Sequence, residues 1–170
     1  MKEDGQDYRI WKNKNFVIES SINLLLWDEI LINNFHKKLN KVLNEINQRI
    51  DLFSKNSKIL ISISFSGDQK VKDLNNRFRK KNSATNVLCF PSNNKFNDTI
   101  FLGDIIFSIE TILKEAKRDN KSVENHLMHL FVHAVLHLLG YDHGTEKQAE
   151  KMENLEILIL SNLEIDNPYK

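Results

Sequence analysis

The spacing of apolar residues predicts both helices and strands along this chain. Between residues 27 and 50 the apolar positions lie mostly three or four residues apart, which places them on one face of an α-helix. Over residues 58–65, apolar and small polar residues alternate, and this pattern predicts a strand that ends at Ser66-Gly67. The apolar positions of the first helix are Ile30, Leu31, Phe35, Leu39, Val42, Leu43, Ile46 and Ile50.

The last third of the chain predicts three helices with recognisable ends. They cover about residues 108–118, 122–139 and 145–162. Ser108, Ser122 and Thr145 are their predicted N-caps, because a side-chain oxygen there accepts a free backbone N–H. Thr145 and Gln148 also have the spacing of a capping box. Gly140 stands where a left-handed residue commonly ends a helix.

The order of predicted elements indicates an α+β fold, with a small mixed β-sheet packed with several helices. Further strands are predicted near residues 16–18, over 86–90, where Pro91 ends the pattern, and over 101–107. A short helix is predicted over residues 68–78, and a polar turn over 93–99. We find no repeat or Pro- or Gly-rich linker, so we expect a single domain over residues 1–170, with residues 1–20 as a loosely ordered extension.

Composition narrows the functional classes. Hydrophobic residues make up 41% of the chain and charged residues 28%, as in ordinary globular proteins. The single cysteine excludes an intrachain disulfide framework and any CxxC site. The polar start carries no signal-peptide pattern, and the apolar runs at 24–27 and 157–160 are too short for a bilayer. We therefore expect a cytoplasmic protein without a membrane partner.

Three histidines form the most informative cluster. His133 and His137 are four residues apart, so on the predicted helix their side chains share one face, with Cβ atoms about 5–6 Å apart. Gly140 permits a sharp turn that can return His143 to the same point. Three neutral imidazoles suit zinc, nickel or another first-row divalent metal, and they leave a fourth position for water, as catalytic sites do.

The alternative interpretation is a helix with a core-facing apolar stripe and solvated histidines. We favour the metal site, because three histidines at this spacing rarely occur by chance. His126 and His129 lie on the same helix and are expected on the surface or beside the ligands. The apolar stripe, present under both interpretations, comprises Leu127, Leu130, Phe131, Ala134, Val135 and Leu138.

The histidine spacing is also that of the metzincin proteases, which carry a glutamate directly after the first histidine. Ala134 occupies that position here. A peptidase with this sequence lacks the residue that takes the proton from the attacking water. The sequence therefore argues against proteolysis.

A basic and an acidic segment make the chain dipolar. Residues 70–81 hold six Lys/Arg and one Asp, a charge of +5, whereas residues 142–166 hold seven acids and two Lys, a charge of −5. The whole chain carries only +1. A basic run is usually a solvated helix face. Beside a hydrolytic metal centre, however, guanidinium groups offer donors to phosphate oxygens, which favours a phosphodiester substrate.

Several motifs make the chain resemble the YbeY family of bacterial endoribonucleases and ribosomal RNA maturation factors. HAVLHLLGYDH at residues 133–143 is similar to the family's HGxLHLxGYDH, and LGDI at 102–105 matches a family strand. The family also has a block that contains an arginine and ends in TDVLSFP. This chain is similar to that block at Leu74-Asn75, at Arg79 and in TNVLCFP at 85–91. The resemblance covers about residues 58–160. The positions that fit its terminal helix are Glu146, Met152 and Glu156.

The resemblance implies one zinc-type metal ion on His133, His137 and His143, and a functional arginine at Arg79. It also implies cleavage of single-stranded RNA in small-subunit ribosomal RNA maturation and late ribosome quality control, with the small ribosomal subunit as a partner. No general base is assigned. The residues predicted to help Arg79 bind substrate are Arg77, Lys80 and Lys81.

Three positions depart from the family pattern: Ala134 replaces Gly, Ala84 replaces Pro, and Asn86 replaces Asp. Because of the differences at Ala84 and Asn86, the resemblance does not predict the shape and charge of the loop after Arg79.

Four other residues carry weaker signals. Asp104 and Asp142 are predicted to orient a ligand imidazole or assist a water molecule, although solvation of a helix end explains Asp142 equally well. Cys89 is expected to be a small strand residue. Phe78 could stack on a base, but a residue on an amphipathic helix more often packs inward.

We therefore predict a single-domain α+β metallohydrolase that acts on RNA. Two alternatives stay open. One is a non-catalytic ribosome-assembly factor whose metal only braces the fold. The other is a metallohydrolase of another substrate class, such as an amidase or an atypical peptidase.

Overall fold

One mixed β-sheet organises the chain. The structure is a computed structural model that describes residues 5–50 and 57–170. Within those residues the strands are β1 (Gln6–Lys12), β2 (Phe16–Asn23), β3 (Lys58–Ser66), β4 (Val87–Phe96) and β5 (Thr99–Ser108). They lie side by side in the order β1-β2-β3-β5-β4. The inner pairs β2–β3 and β3–β5 are parallel, whereas β1 and β4 run antiparallel to their neighbours at the two edges.

Helices join and cover these strands. In the described residues they are α1 (Glu29–Ile50), α2 (Asp68–Arg79), α3 (Ile109–Arg118), α4 (Val123–Leu138) and α5 (Glu146–Ser161). The long α1 lies in the crossover that lets β2 and β3 run parallel. None of these helices has both the length and the apolar character needed to cross a membrane.

The core lies between the sheet and helices α1 and α4. Phe35 of α1 is at its centre, with ring centroids 5.3 Å from Phe65 of β3, 6.4 Å from Phe107 of β5 and 5.1 Å from Phe131 of α4. All four rings are almost fully buried. Burial of aromatic rings in edge-to-face contact is strongly stabilising, so α4 is held firmly against the sheet.

Helix α2 packs on the opposite face of the sheet. Val71 of α2, Leu88 of β4 and Ile106 of β5 form a small separate cluster there. Ile106 follows Ile105, which belongs to the main core, and successive strand residues point to opposite faces. This second face is covered less completely than the first, since Tyr8 on β1 is 77% exposed.

The α+β architecture is confirmed, and so are two of the three predicted side-chain N-caps. The Ser122 hydroxyl accepts a backbone N–H in the first turn of α4, and Thr145 forms the complete capping box with Gln148. Ser108 stands at the N-cap of α3, but its hydroxyl donates to the Asp68 carboxylate instead of capping the helix.

The N-terminal region differs from the expected loose extension. β1 pairs with β2 from Gln6 to Lys12, so residues 6–20 mostly form part of the sheet. Residues 1–4 of the predicted extension lie outside the described residues. The usual alternation of apolar buried and polar exposed residues is not visible in β1. Its exposed side carries the apolar Tyr8 and Ile10, while its more buried side includes the charged Arg9.

Two local predictions also differ from the structure. β4 continues past Pro91 to Phe96, with an irregular register between Pro91 and Asn94, and the turn shortens to about Asn97. Proline is tolerated there because β4 is an edge strand. In α1, Ile30 is 69% exposed and Ile32 is buried in its place.

Gly103 on β5 provides a test of this packing. Its φ of +144° is unfavourable for other residues, and a Cβ there would overlap the Phe90 carbonyl oxygen and lie 2.9 Å from Leu138 Cδ2. We expect Gly103→Ala to lower the free energy of unfolding by about 3 kcal/mol in urea titrations. Gly144→Ala is the control, since its Cβ would meet nothing closer than 3.5 Å. Equal stability of the two variants would contradict this account.

Candidate functional site

The end of α4 brings His133, His137 and His143 together. Gly140 has a φ of +89°, its N–H donates to the His137 carbonyl, and the Tyr141 N–H donates to the Leu136 carbonyl, both at 3.0 Å. These two bonds form a Schellman turn. The turn sends the chain back along the helix and returns His143 to the other two histidines, as the sequence predicted.

The three imidazoles converge on one point. One nitrogen from each ring lies within 4.8 Å of the others. The Nε2 atoms of His133 and His137 are 3.1 Å apart, and the His143 ring centroid is 4.9 Å from that of His137. No other group of three or more histidine, cysteine or acidic side chains within the described residues has such geometry. The three histidines could therefore hold a metal ion.

Hydrogen bonds fix the tautomers of two of these rings. His133 Nδ1 lies 2.8 Å from Glu156 Oε1, and His137 Nδ1 lies 2.9 Å from the Tyr141 carbonyl oxygen. A carboxylate and a carbonyl only accept hydrogen bonds, so each Nδ1 carries the hydrogen. The Nε2 lone pairs are therefore free to face one another.

Burial favours the neutral form of His137. Burial lowers the pKa of His137, and the neighbouring His133 lowers it further, although the hydrogen bond to the Tyr141 carbonyl acts in the opposite direction. The neutral imidazole is the form that binds metal ions.

Glu156 of α5 supports the site from behind. Its side chain is completely buried, with Oε2 2.9 Å from His129 Nε2 and also accepting a hydrogen bond from the Tyr169 hydroxyl. Burial alone would raise the pKa of Glu156, but hydrogen bonds from His129, His133 and Tyr169 outweigh it and hold the pKa at about 2. The carboxylate stays ionised and fixes the orientation of the His133 ring.

Neither of the remaining α4 histidines is a solvated surface residue. His126 is 7% exposed, and its Nε2 lies 2.8 Å from Glu115 Oε2. Burial lowers its pKa more than the Glu115 carboxylate raises it. His129, one turn before His133, contacts the same Glu156 carboxylate as His133 does. A surface position is therefore wrong for His126, whereas His129 does lie beside one of the predicted metal ligands, His133.

Arg79 shares an open cavity of about 540 Å³ with the histidine cluster. It ends α2, and one of its N–H groups donates to the Cys89 carbonyl at 3.3 Å. The remaining guanidinium donors are available to an anion in the cavity. The residues that line this cavity are Arg79, Thr85, Asn86, Val87, Cys89, Pro91, His133, His137, Gly140, Tyr141, Asp142 and His143.

The surroundings of two cavity residues, Cys89 and Asn86, explain why these residue types occur there. Burial raises the pKa of the Cys89 thiol more than Arg79 lowers it, so Cys89 is a protonated strand residue, as expected. Asn86 Nδ2 donates to Glu115 at 2.9 Å, and its Oδ1 accepts the Val87 N–H. An aspartate at this position would repel Glu115, which explains why asparagine fits here.

The other predicted site residues lie in different places. Asp142 lines the cavity, but its Oδ1 accepts the His143 backbone N–H, so it shapes the loop. Asp104 does not reach the site, since it pairs with Phe90 and Ser62 on the face opposite the core. Strand alternation, which the motif alone did not reveal, puts it there.

The other predicted substrate-binding residues are exposed at the end of α2 and outside the cavity lining. Arg77 lies over the Phe78 ring, 5.3 Å from its centroid, and Lys80 Nζ donates to the Arg77 carbonyl at 3.4 Å. Lys81 is exposed beside them. Of these four basic residues, the structure therefore places only Arg79 in the lining of the histidine cavity.

The contact of Glu156 with the histidine cluster was not predicted from the sequence. Glu156 belongs to a different helix from His133, so no local spacing connects the two. A signal was nevertheless present, because Glu156 falls on the buried stripe of α5 with Met152, Ile159 and Leu160. A carboxylate on an apolar stripe requires a partner.

A family model described as endoribonuclease YbeY matches residues 23–164. This chain belongs to that family. It is 46% identical over 112 residues to the endoribonuclease YbeY of Bartonella quintana, covering 64% of this chain and 71% of the relative. The endoribonuclease YbeY of Francisella philomiragia is 41% identical over 117 residues, covering 64% and 72%.

The chain is also similar to another YbeY relative and to one solved structure. The endoribonuclease YbeY of Chelativorans sp. is 46% identical over 112 residues, covering 64% of this chain and 69% of the relative. The solution structure of TM1509 from Thermotoga maritima has 25% sequence identity and a TM-score of 0.47. That match covers 83% of this chain and 92% of the other.

The contact between Glu156 and His133 can be tested through metal affinity. We expect Glu156→Gln to weaken Zn²⁺ binding about 10- to 100-fold, because the amide holds His133 less strongly and makes its imidazole a poorer ligand. Competition with a chromophoric chelator measures the dissociation constant. The control is Glu150→Gln, an exposed position on the same helix. Equal affinities in both variants would show that Glu156 does not orient the ligand.

Proposed function

We propose that this protein is a metal-dependent endoribonuclease specific for single-stranded RNA. The observation that carries the proposal is the cavity in which Arg79 faces His133, His137 and His143. Membership of a family whose relatives bear the name endoribonuclease supports the substrate class. Its task is the maturation of small-subunit ribosomal RNA and late ribosome quality control in the cytoplasm, with the small ribosomal subunit as partner and residues 1–170 acting as one domain.

The donor set fits one zinc ion. Two imidazole nitrogens bound at 2.0–2.1 Å to one tetrahedral ion lie about 3.3 Å apart. The corresponding Nε2 atoms of His133 and His137 are 3.1 Å apart. The Nδ1–H group of each ring donates a hydrogen bond, to Glu156 and to the Tyr141 carbonyl respectively. Nickel or another divalent first-row metal suits the same three imidazoles.

Each protein group has a separate task in this proposal. When bound, the ion supplies the Lewis acidity that lowers the pKa of water and offsets charge on the phosphodiester. Arg79 donates hydrogen bonds to phosphate oxygens, while its contact with the Cys89 carbonyl keeps the guanidinium directed into the cavity. Glu156 holds the His133 ring in its ligating orientation.

The exposed cations at the end of α2 serve the approach of RNA. Arg77, Lys80 and Lys81 are exposed close to Arg79 in the sequence, and they attract the phosphate backbone over a distance. Such contacts depend on salt and carry no sequence information. They therefore contribute to affinity more than to the chemical step.

The two alternatives are less well supported. A metal that only braces the fold needs no open cavity beside it, yet the histidines line one together with Arg79. A peptidase of the metzincin type needs a glutamate at position 134, and Ala134 is fully buried in the core. The arginine beside the histidines favours a phosphodiester over an amide.

Substitution of Arg79 tests the assignment. We expect Arg79→Ala to lower kcat for a single-stranded RNA about 10²- to 10³-fold while Zn²⁺ affinity stays unchanged, because the arginine contacts substrate and not metal. His137→Ala should lose both metal and cleavage. Arg118→Ala, an exposed arginine paired with Asp119, is the control and should behave as wild type.

The outcomes of this experiment separate the alternatives. Full activity of Arg79→Ala would remove Arg79 from the mechanism. The assembly factor would be favoured by two results together. The zinc-loaded wild-type protein would leave RNA intact in the cleavage assay, and the protein would still support ribosome maturation in cells. Cleavage of an amide substrate with RNA left intact would favour the other hydrolase class.

A further inference from the structure

A groove of about 440 Å³ runs between α2 and the face of the sheet opposite the core. Its floor includes the small polar side chains Ser62 and Ser64 of β3 and the carboxylate of Asp104 on β5. Phe78 of α2 and Phe90 of β4 form part of its wall. This groove is separate from the histidine cavity, and the proposed mechanism does not use it.

The most exposed aromatic side chain of this groove is Phe78. The sequence predicted that it packs inward, but it is 56% exposed. Its ring meets Phe90 at an angle of 63° with centroids 5.2 Å apart, and the Arg77 guanidinium lies 5.3 Å from its centroid. These two neighbours hold the ring in place while more than half of its surface stays open. A positioned, exposed ring beside a cation is a platform for a planar ligand.

The groove and the histidine cavity are adjacent along two elements. On α2, Phe78 lines the groove and the next residue, Arg79, lines the cavity. On β4, Phe90 lines the groove, and its neighbours Cys89 and Pro91 line the cavity. Consecutive Cα atoms are about 3.8 Å apart. A ligand held by Arg79 can therefore reach Phe78 within one or two nucleotides.

The charges around the groove favour nucleic acid in one orientation. Lys70 lies over the floor, where its Nζ donates to Ser64 Oγ at 3.2 Å, and the basic end of α2 follows it. Asp104 disfavours a phosphate on the floor, but its carboxylate and the serine hydroxyls accept hydrogen bonds from base N–H groups. Bases thus point inward, and phosphates face the cations of α2.

We propose that this groove is a base-binding subsite for single-stranded RNA, in which Phe78 stacks on a base one or two nucleotides from the bond that is cut. The inference rests on the proposed endoribonuclease function and adds to it a contact with the substrate outside the cavity. Stacking tolerates any base, since every base has an aromatic face. It requires an unpaired base, so the subsite selects single strands over duplexes.

The test measures kcat/KM of the zinc-loaded protein on one RNA oligonucleotide in which an abasic nucleotide is moved along the sequence. In wild type we expect one position next to the cut where the abasic nucleotide lowers kcat/KM about 5- to 100-fold. In Phe78→Leu, which keeps an apolar contact with Phe90, the intact oligonucleotide should show a similar loss. In Phe78→Leu, the abasic nucleotide should lower kcat/KM by less than about a further 2-fold, because the substitution and the missing base remove the same contact.

Two further variants complete the experiment. Phe78→Tyr keeps the ring and should retain the wild-type profile. Phe96→Leu removes another exposed aromatic of β4, which is 66% exposed and outside the groove lining, and should also retain it. Thermal unfolding of each variant verifies that the fold is intact.

The outcomes distinguish the subsite from the function on which it rests. If wild type cleaves RNA and the abasic profile of Phe78→Leu equals that of wild type, the subsite is overturned and the endoribonuclease stands. If zinc-loaded wild type cleaves no RNA, the proposed function is overturned, and the subsite with it.

Discussion

The buried carboxylate of Glu156 is the constraint on which the site depends. An ionised group without solvent is stable only where every oxygen has a donor. His129 and His133 of α4 and the Tyr169 hydroxyl supply those donors. Any displacement of α5 relative to α4 would leave a charge without partners in the interior. The hydrogen bonds that keep this charge stable therefore also fix the distance between the two helices and the direction of the His133 ring.

The two faces of the sheet have different tasks. One face supports the aromatic core around Phe35, and this core holds α4 in place. The other carries α2, whose last residue, Arg79, reaches the cavity at the sheet edge. The three histidines and Arg79 thus come from opposite sides of the sheet and meet beside β4. The packing of two separate apolar clusters therefore determines the geometry of one site.

Local spacing made part of this structure predictable. The histidine cluster follows from positions 133, 137, 140 and 143, because a helix and a turn fix their relative placement within a few residues. The caps at Ser122 and Thr145 are local for the same reason. Asp104 and Glu156 could not be placed this way. The surroundings of each depend on strand register or helix packing with residues distant in sequence, which local patterns do not encode.

The interrupted edge strand β4 influences what can approach the cavity. Pro91 offers no N–H, and the register is irregular between it and Asn94. A free sheet edge normally attracts another extended peptide, which adds to the sheet through a regular ladder of backbone hydrogen bonds. Such a ladder cannot extend past this part of β4. The rim of the cavity is thereby protected from strand addition and aggregation, and it stays open to ligands that bind through side chains.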